Sequence, residues 1–213
     1  MSSTEAPAKS PHDLERDSRP SLTVVAAMLN ERGQLESWLE NLGWVDNIVI
    51  VDHGSSDGSL EFMQSQPRCQ CVSATKGEGL IEDIRSHGLA EVEEGWVLVL
   101  DMDERVTQEL REEIESTIAS RPTEDGFHIP FRHYVFGRWL KHGGWDDRHL
   151  RLFRAGKGHY TPGKIHADAN VAGEVGLLRG QILHFAHPTI HDFLMRMNRY
   201  TTQSAETLAR GEP

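Results

Sequence analysis

The residues best suited to chemistry lie where apolar runs of the sequence end. The run "WVLVL", residues 96 to 100, leads directly into Asp101 and Asp103, and the earlier run "NIVIV" leads into Asp52. Two carboxylates spaced i, i+2 at the end of a strand can hold a hard divalent cation, which keeps several waters and takes its other ligands from substrate phosphates. The spacing therefore predicts a cation and phosphate site.

A third apolar run, "LTVVAAM", ends near Asn30 and Glu31, so three separate runs place polar groups at their ends. The alternative reading of the acidic pair is that Asp103 or Thr107 only caps the helix that follows. We favour the ligand site, because acids after three strands of one sheet would face the same crevice.

The elements that must position these residues are strands alternating with helices. Four strand-like runs, "LTVVAAM", "NIVIVD", "CQCVSA" and "WVLVL", are separated by amphipathic segments. Helical spacing places apolar residues on one face of the segments after the first and fourth runs: Leu35, Trp38, Leu39 and Leu42, then Leu110, Ile114 and Ile118. The pattern predicts an α/β fold with a mostly parallel sheet covered on both faces, whose ligands bind beyond the carboxyl ends of the strands.

Composition limits the class of protein. The 213 residues fit one domain, with a polar tail predicted to be disordered at 1–20, a strand–helix half at 21–125 and a half of mixed strands at 126–213. The net charge of -11 argues against a broad nucleic-acid-binding surface. No apolar run approaches the ~20 residues that span a bilayer, so we expect a cytoplasmic protein. Cys69 and Cys71 are interpreted as packing residues.

Two common nucleotide-binding signatures are missing after the first strand. Neither a "GxxxxGK[ST]" phosphate loop nor a "GxGxxG" motif is present, which argues against a mononucleotide kinase or a dehydrogenase. The segment "KGEGL", residues 76 to 80, is only a weak glycine signal.

The blocks "VVAAMLNE", "IVIVDHGSSDGS" and "WVLVLDMDE" resemble the three successive blocks of family 2 glycosyltransferases of the GT-A fold. Two later stretches, "FGRWLKHGGWDDRHLRLFR" and "IHADANVAGEVGLLRGQILHFAHPTIHDFLMRMNRYT", are similar to the branch that builds bacterial lipopolysaccharide cores. The resemblance runs from about residue 21 to residue 209. It implies a nucleotide-sugar donor, normally a UDP-hexose, bound by the first half with Mg²⁺ or Mn²⁺, and a saccharide or lipid-linked acceptor bound by the second half.

The resemblance also implies roles for single residues. Asp52 would accept a hydrogen bond from the base, and Asn30 and Glu31 would line the nucleotide pocket. Asp101 would approach the ribose, and Asp103 would bind the metal that bridges the diphosphate. A divalent cation there would neutralise the charge that develops on the leaving nucleoside diphosphate.

Three further residues have open interpretations. Arg85 is either a second positive clamp on the phosphates or a solvated helix residue. His184, where the resemblance places a histidine, either completes the metal shell or is a buried structural histidine. His53 departs from the family, which usually has Asp or Ser at this position.

The general base of an inverting transfer is a choice between acids of the second half. The lipopolysaccharide-core branch usually has a His-Glu pair where this chain has His166 and Ala167. Asp168 comes one position later, and Asp146 and Asp147 compete with it from the "GGWDDRH" segment. We rank Asp147 and Asp168 equally as the carboxylate that takes the acceptor's proton. The alternative for each is that it is a surface acid with no part in catalysis.

Aromatic and basic residues of the second half are candidates for acceptor contacts. The aromatic candidates, for which core packing is the favoured alternative, are Tyr134, Phe136, Trp139 and Trp145. Arg148, Arg151 and Arg154 could meet acceptor phosphates, and Arg151 coincides with a basic residue of the family. The last helix is expected to pack on the sheet through an apolar stripe that comprises Ile190, Phe193, Leu194, Met197 and Tyr200.

Two other classes of protein remain open. A nucleotidyltransferase would share the sheet and the acids but would normally have a Gly-rich basic loop after the first strand. A non-catalytic nucleotide-sugar binder would keep Asp52 and Asp101 without a working base. The chain ends at "ARGEP", where relatives of this branch usually continue, and we expect at most peripheral membrane association.

Overall fold

The computed structural model describes residues 19–74, 81–142, 147–161, 168–187 and 189–209. The strands of the first half are β1 (Leu22–Met28), β2 (Asn47–Asp52), β3 (Cys69–Ser73), β4 (Trp96–Val99) and β5 (Glu104–Val106). The helices between and after them are α1 (Leu35–Asn41, preceded by a 3-10 turn at Arg32–Gln34), α2 (Ser59–Gln64), α3 (Ile81–Ala90) and α4 (Gln108–Ala119).

The second half is mostly strands. They are β6 (Gly126–Val135), β7 (Arg138–Trp139), β8 (Arg148–Arg154), β9 (Gly158–His159), β10 (Asn170–Val171), β11 (Val175–Leu177) and β12 (Ile182–His187). One helix comes after them, α5 (Ile190–Ala209).

The main sheet has the order β3-β2-β1-β4-β8-β6-β12-β5. Its first four strands are parallel, as the alternation of strands and helices predicts. Beyond β4 the directions are mixed, because β8 is antiparallel to β4 and β6, whereas β12 is parallel to β6 and antiparallel to β5. The fold is therefore a mixed α/β sheet with a parallel nucleus.

β1 lies at the centre of the parallel nucleus and is buried on both faces. Val24 and Ala26 pack into one core cluster, and Val25 between them packs into the cluster on the opposite face. A strand alternates its side chains between the two faces, so an unbroken apolar run is what a doubly covered strand requires.

The turn into α4 separates the acidic pair from the helix cap. Thr107 Oγ1 accepts a hydrogen bond from Leu110 N at 3.2 Å and is the N-cap. Asp103 precedes the short strand β5, which the sequence analysis did not predict, and so does not cap the helix. The capping alternative is thus correct for Thr107 and wrong for Asp103.

The sequence predicted that α5 packs on the sheet through its apolar stripe, but the structure leaves most of that stripe exposed. Ile190, Phe193, Leu194 and Met197 are all exposed, and Ile190 retains 65% of its accessible surface. Phe193 makes an edge contact with Phe136, whose ring centroid lies 6.1 Å away. Periodicity located the helix correctly, but periodicity does not show what covers a face. None of the helices in the described ranges is long and apolar enough to cross a membrane.

Gly88 lets α3 approach the parallel sheet closely. A Cβ atom at this position would lie 2.6 Å from Val25 Cγ1 and 2.8 Å from Val51 Cγ2. We expect Gly88→Ala to destabilise the protein by about 1–3 kcal/mol, because overpacking outweighs the gain in helix propensity. The measurement is urea unfolding beside the control Gly33→Ala, since nothing lies within 4 Å of a Cβ at Gly33. Equal stability of the two variants would contradict the tight contact.

Candidate active site

The loops after β1 and β2 are joined by hydrogen bonds between side chains and backbone. Asn30, at a positive φ of 57°, accepts a bond from Ser56 N through its Oδ1 at 2.8 Å. The backbone N–H of Asn30 donates to Ser55 Oγ, and that of Glu31 donates to Ser59 Oγ, each at 2.9 Å. The two residues predicted to line the nucleotide pocket therefore fix the shape of this double loop.

Asp52 ends β2 as a buried carboxylate. Its Oδ2 accepts hydrogen bonds from Gly54 N at 3.0 Å and Ser55 N at 3.1 Å. The carboxylate thus organises its own loop, and its role at the base stays a prediction. The adjacent His53 is half-buried, and its Nδ1 has no hydrogen-bond partner within the described ranges.

Asp101 is held by two arginines at the end of β4. Arg85 on α3 contacts both carboxylate oxygens, and Arg151 Nη2 lies 3.7 Å from Asp101 Oδ2. Burial opposes ionisation, but Arg85 and Arg151 hold the pKa of Asp101 well below its usual range. Arg85 is only 7% exposed, so the interpretation as a solvated helix residue is wrong.

Glu104 is a site residue that the sequence analysis did not identify. It is 1% exposed, and its two oxygens accept bonds from Asp101 N at 2.8 Å and Arg151 Nη2 at 2.9 Å. Burial raises the pKa of Glu104 to about 7, Arg151 opposes this shift, and Asp101 adds to it. Its position directly after the "DMD" acids was the available signal, but an acid on a short strand gives no local sign of burial.

Glu104 predicts a pH dependence of stability. Its pKa rises from 4.5 in its ordinary state to about 7 in the fold, so the folded protein holds a proton that the unfolded chain has lost. This contribution to stability is fully present below the lower value and is lost as the pH rises through the upper one. In EDTA, we expect the melting temperature to fall between about pH 5 and about pH 8, and to fall less in Glu104→Gln. Equal slopes for the two proteins would contradict the buried proton.

Asp103 and His184, the two predicted metal ligands, face each other. His184 Nε2 lies 3.6 Å from Asp103 Oδ2, across the antiparallel pairing of β12 with β5. Burial opposes protonation of this histidine, but Asp103 raises the pKa of His184 above its ordinary value. Within the described ranges, no group of three or more His, Cys, Asp or Glu side chains gathers as a metal site. A cation held by this oxygen and nitrogen pair would take its remaining ligands from phosphate and water.

The two base candidates are linked by one histidine. His149 on β8 places Nε2 at 3.0 Å from Asp147 Oδ2 and Nδ1 at 2.6 Å from Asp168 Oδ1. On the other side, Asp147 Oδ1 lies 2.6 Å from His133 Nε2, and His133 Nδ1 lies 2.9 Å from His184 Nδ1.

A continuous line of contacts thus runs from the metal candidates to the base candidates. In order, it comprises Asp103, His184, His133, Asp147, His149 and Asp168. The buried ring of Phe131 packs against all three histidines, with centroid distances of 5.0–6.3 Å. His133 and His149 were not singled out from the sequence. Their place among nine histidines clustered between residues 128 and 191 was the only signal.

Two of the three arginines of β8 differ from their predicted role, whereas Arg148 is exposed and its contact with acceptor phosphates stays a prediction. Arg151 lies in the buried cluster with Glu104 and Asp101, where it neutralises protein acids, which corrects the expectation of a contact to acceptor phosphates. Arg154 lies 4.7 Å from the centroid of the Trp96 ring and 3.4 Å from an Asp125 oxygen, so it is a structural residue.

Aromatic residues near the end of β6 are exposed, so core packing is the wrong interpretation for two of them. Phe136 and Trp139 retain 45% and 42% of their surface. Arg132 and Lys141 lie over the Trp139 ring, at 4.4 and 4.7 Å from its centroid. Several sequence candidates fall outside the described residues, namely the "KGEGL" segment, Trp145, Asp146, His166 and Ala167.

Comparison with protein families decides the class. The family model described as "Glycosyl transferase family 2" matches residues 23–168, more than half of the chain. The chain is a family 2 glycosyltransferase. The family to which the three sequence blocks point is thereby confirmed.

Known proteins similar to this glycosyltransferase agree with the assignment. It is 30% identical over 193 residues to "Lipopolysaccharide core biosynthesis glycosyltransferase LpsC" of Rhizobium meliloti (strain 1021), covering 87% of this chain and 70% of that protein. Residues 1–349 of S. aureus TarS superpose with a TM-score of 0.59 at 16% identity, over 81% of this chain and 62% of that chain.

A further structure of the same TarS fragment, in complex with UDP-GlcNAc, superposes with a TM-score of 0.58 at 15% identity. It aligns with 78% of this chain and 59% of that chain. This glycosyltransferase therefore spans about 60% of the length of the TarS fragment. At such low identity, the likeness establishes the fold alone.

Proposed function

We propose that the protein transfers a sugar from a nucleoside diphosphate sugar, a UDP-hexose by preference, to a saccharide acceptor of the lipopolysaccharide-core type, with inversion at the anomeric carbon. The observation that carries this proposal is the continuous line of contacts from Asp103 to Asp168. An acid suited to the leaving diphosphate and acids suited to the attacking hydroxyl lie along one line of contacts, so the groups that a one-step displacement at C1 uses border the same site. The 30% identity to LpsC supports the acceptor class.

The donor binds against the double loop and the buried cluster. Asp52 and the loop of Asn30 and Glu31 hold the base, and Asp101 holds the ribose. Because Arg85 contacts both oxygens of Asp101, it fixes the direction of that carboxylate. The carboxylate keeps 23% of its side-chain surface exposed, which leaves an edge for a ribose hydroxyl.

Asp103 and His184 hold Mg²⁺ or Mn²⁺ in this proposal. Oxygen ligands suit both ions, and a nitrogen ligand beside a carboxylate favours Mn²⁺ over Mg²⁺. Bound there, the cation supplies charge neutralisation for the departing diphosphate. His184 must give up its proton to become a ligand, so Asp103, which raises its pKa, makes metal binding weaker at low pH.

The second half binds the acceptor. Asp147 or Asp168 takes the proton of the attacking hydroxyl. Phe136 and Trp139, whose ring Arg132 and Lys141 partly cover, keep exposed aromatic surface for a sugar. The protein acts in the cytoplasm at the inner face of the membrane, where a lipid-linked acceptor would be presented, and it binds no nucleic acid.

The test is transfer from a panel of UDP-, GDP- and dTDP-sugars to lipopolysaccharide-core oligosaccharides, with Mg²⁺, Mn²⁺ or EDTA. We expect release of a nucleoside diphosphate together with a product whose anomeric configuration, read by NMR, is inverted. Metal-dependent stabilisation by UDP in a melting experiment would identify the donor base independently. Release of pyrophosphate would show a nucleotidyltransferase, and donor binding without turnover on any acceptor would show a sugar-nucleotide binder. Either result would overturn the proposal.

A further inference from the structure

The link between the two base candidates contains an asymmetry. Both oxygens of Asp147 are used, Oδ1 by His133 and Oδ2 by His149. Asp168 uses only Oδ1, toward His149, and within the described ranges its Oδ2 has no hydrogen-bond partner. The side chain of Asp168 is also the more exposed, at 52% against 40% for Asp147.

The donors in this group can be counted. An ionised carboxylate only accepts hydrogen bonds, so each bond from His149 needs a hydrogen on the ring nitrogen. The two ring nitrogens lie 3.0 Å from Asp147 Oδ2 and 2.6 Å from Asp168 Oδ1, so one rigid ring spans both carboxylates. Contacts on both sides of a planar ring fix the direction of each carboxylate. The His149 ring also packs edge-on against Phe131, with the two ring centroids 5.0 Å apart.

The two carboxylates are therefore unequal as proton acceptors. Desolvation opposes the ionisation of Asp147, but its bonds to His133 and His149 lower the pKa of the carboxyl below its ordinary value. A carboxylate with both oxygens occupied and a lowered pKa is a poor general base. Asp168 keeps an oxygen that can meet a hydroxyl group.

We propose that His149 is a positioning residue which, anchored by Asp147, aims Oδ2 of Asp168 at the acceptor hydroxyl. The inference rests on the proposed sugar transfer and assigns its base. In the reaction, the O–H bond of the acceptor breaks and its proton passes to Asp168 Oδ2. The acceptor oxygen forms the new bond to C1 of the sugar, and the bond from C1 to the diphosphate oxygen breaks, with its electron pair leaving on the diphosphate.

The experiment is a double-mutant cycle on kcat with His149→Ala, Asp168→Asn and the two together. We expect Asp168→Asn to lower kcat by about 10²- to 10⁴-fold. We expect His149→Ala to lower it by about 10²-fold, through misplacement of the base, with an unchanged KM for the donor. Because His149 acts through Asp168, the double variant should be no slower than Asp168→Asn alone.

Imidazole added to the assay supplies a second readout. It should raise the rate of His149→Ala several-fold and leave the wild type unchanged, since it can occupy the partly exposed space of the missing ring. His159→Ala, which removes an exposed histidine on β9, is the matched control and should keep the wild-type rate with and without imidazole. If His149→Ala fails to fold, His149→Gln serves in the cycle. Its single amide nitrogen cannot replace both ring nitrogens, which contact Asp168 and Asp147.

The outcomes separate this inference from the function on which it rests. Wild-type protein that transfers no sugar from any donor overturns both. If the wild type transfers sugar and the His149 variants keep its kcat, the role of His149 is overturned but the proposed function is not. The same holds if the losses multiply in the double variant. Wild-type transfer with losses that do not multiply, and with rescue by imidazole, supports it.

Discussion

Replacing Asp103 with asparagine is expected to lower kcat for sugar transfer by about 10²- to 10³-fold, the range seen when a group that stabilises transition-state charge is removed. The change keeps the size of the side chain but removes the negative charge that faces His184 at 3.6 Å. If the proposed cation binds there, the loss of this charge would weaken its binding, and the leaving diphosphate would lose the charge neutralisation that the cation would supply. Initial rates at saturating donor over a range of Mn²⁺ concentrations measure the effect.

The control for this prediction is Glu115→Gln, which removes one negative charge from a surface pair with Arg111 on α4. A surface ion pair contributes little to stability, so this variant should keep both rate and melting temperature. Excess Mn²⁺ should recover part of the activity of Asp103→Asn. A rate within about twofold of the wild type for Asp103→Asn would contradict a charge-neutralising role.

At about pH 8.5, above the pKa of Glu104, replacing Arg151 with methionine is expected to destabilise the fold by about 3–5 kcal/mol. Its guanidinium is 2.9 Å from Glu104 Oε1 and lies over the Phe131 ring, and Glu104 is almost fully buried. Methionine retains the apolar packing but leaves the Glu104 carboxylate beside Asp101 with one cation fewer. For a chain of this size, the melting temperature should fall by about 10 °C.

A second substitution tests the cause of that loss. Arg151→Met combined with Glu104→Gln removes both charges, so most of the lost stability should return, because the penalty comes from an unpaired buried charge. Chemical unfolding of the single and double variants gives the two free energies. A double variant as unstable as Arg151→Met would show that packing, not charge, holds this cluster together.

The parallel nucleus could be predicted from the sequence because its signals are local. The apolar run of β1 and the helical spacing of Leu35 and Trp38 each depend on a few neighbouring residues, and the structure confirms both. The positions of the acids at the strand ends could be predicted by the same rule, since the carboxyl ends of parallel strands lie at one edge of a sheet.

The partners of those acids could not be predicted, because they come from distant parts of the chain. Arg151 reaches Glu104 across 47 residues, and His133 reaches His184 across 51. Such contacts depend on the order in which β8, β6 and β12 join the sheet, and no short pattern in the sequence encodes that order. The resemblance to known glycosyltransferases pointed to His184 as a site residue, but it did not indicate that His149 joins the two base candidates.

The place of β12 in the sheet has a thermodynamic consequence. It is bonded on one side to β5, which comes directly after Asp103, and on the other to β6, which carries His133. A molecule that shifts β12 by binding on one side changes the free energy of binding on the other. Linkage makes that effect reciprocal: each substrate would change the protein's affinity for the other by the same factor. Equilibrium titrations of each substrate in the presence and absence of the other would reveal such cooperativity.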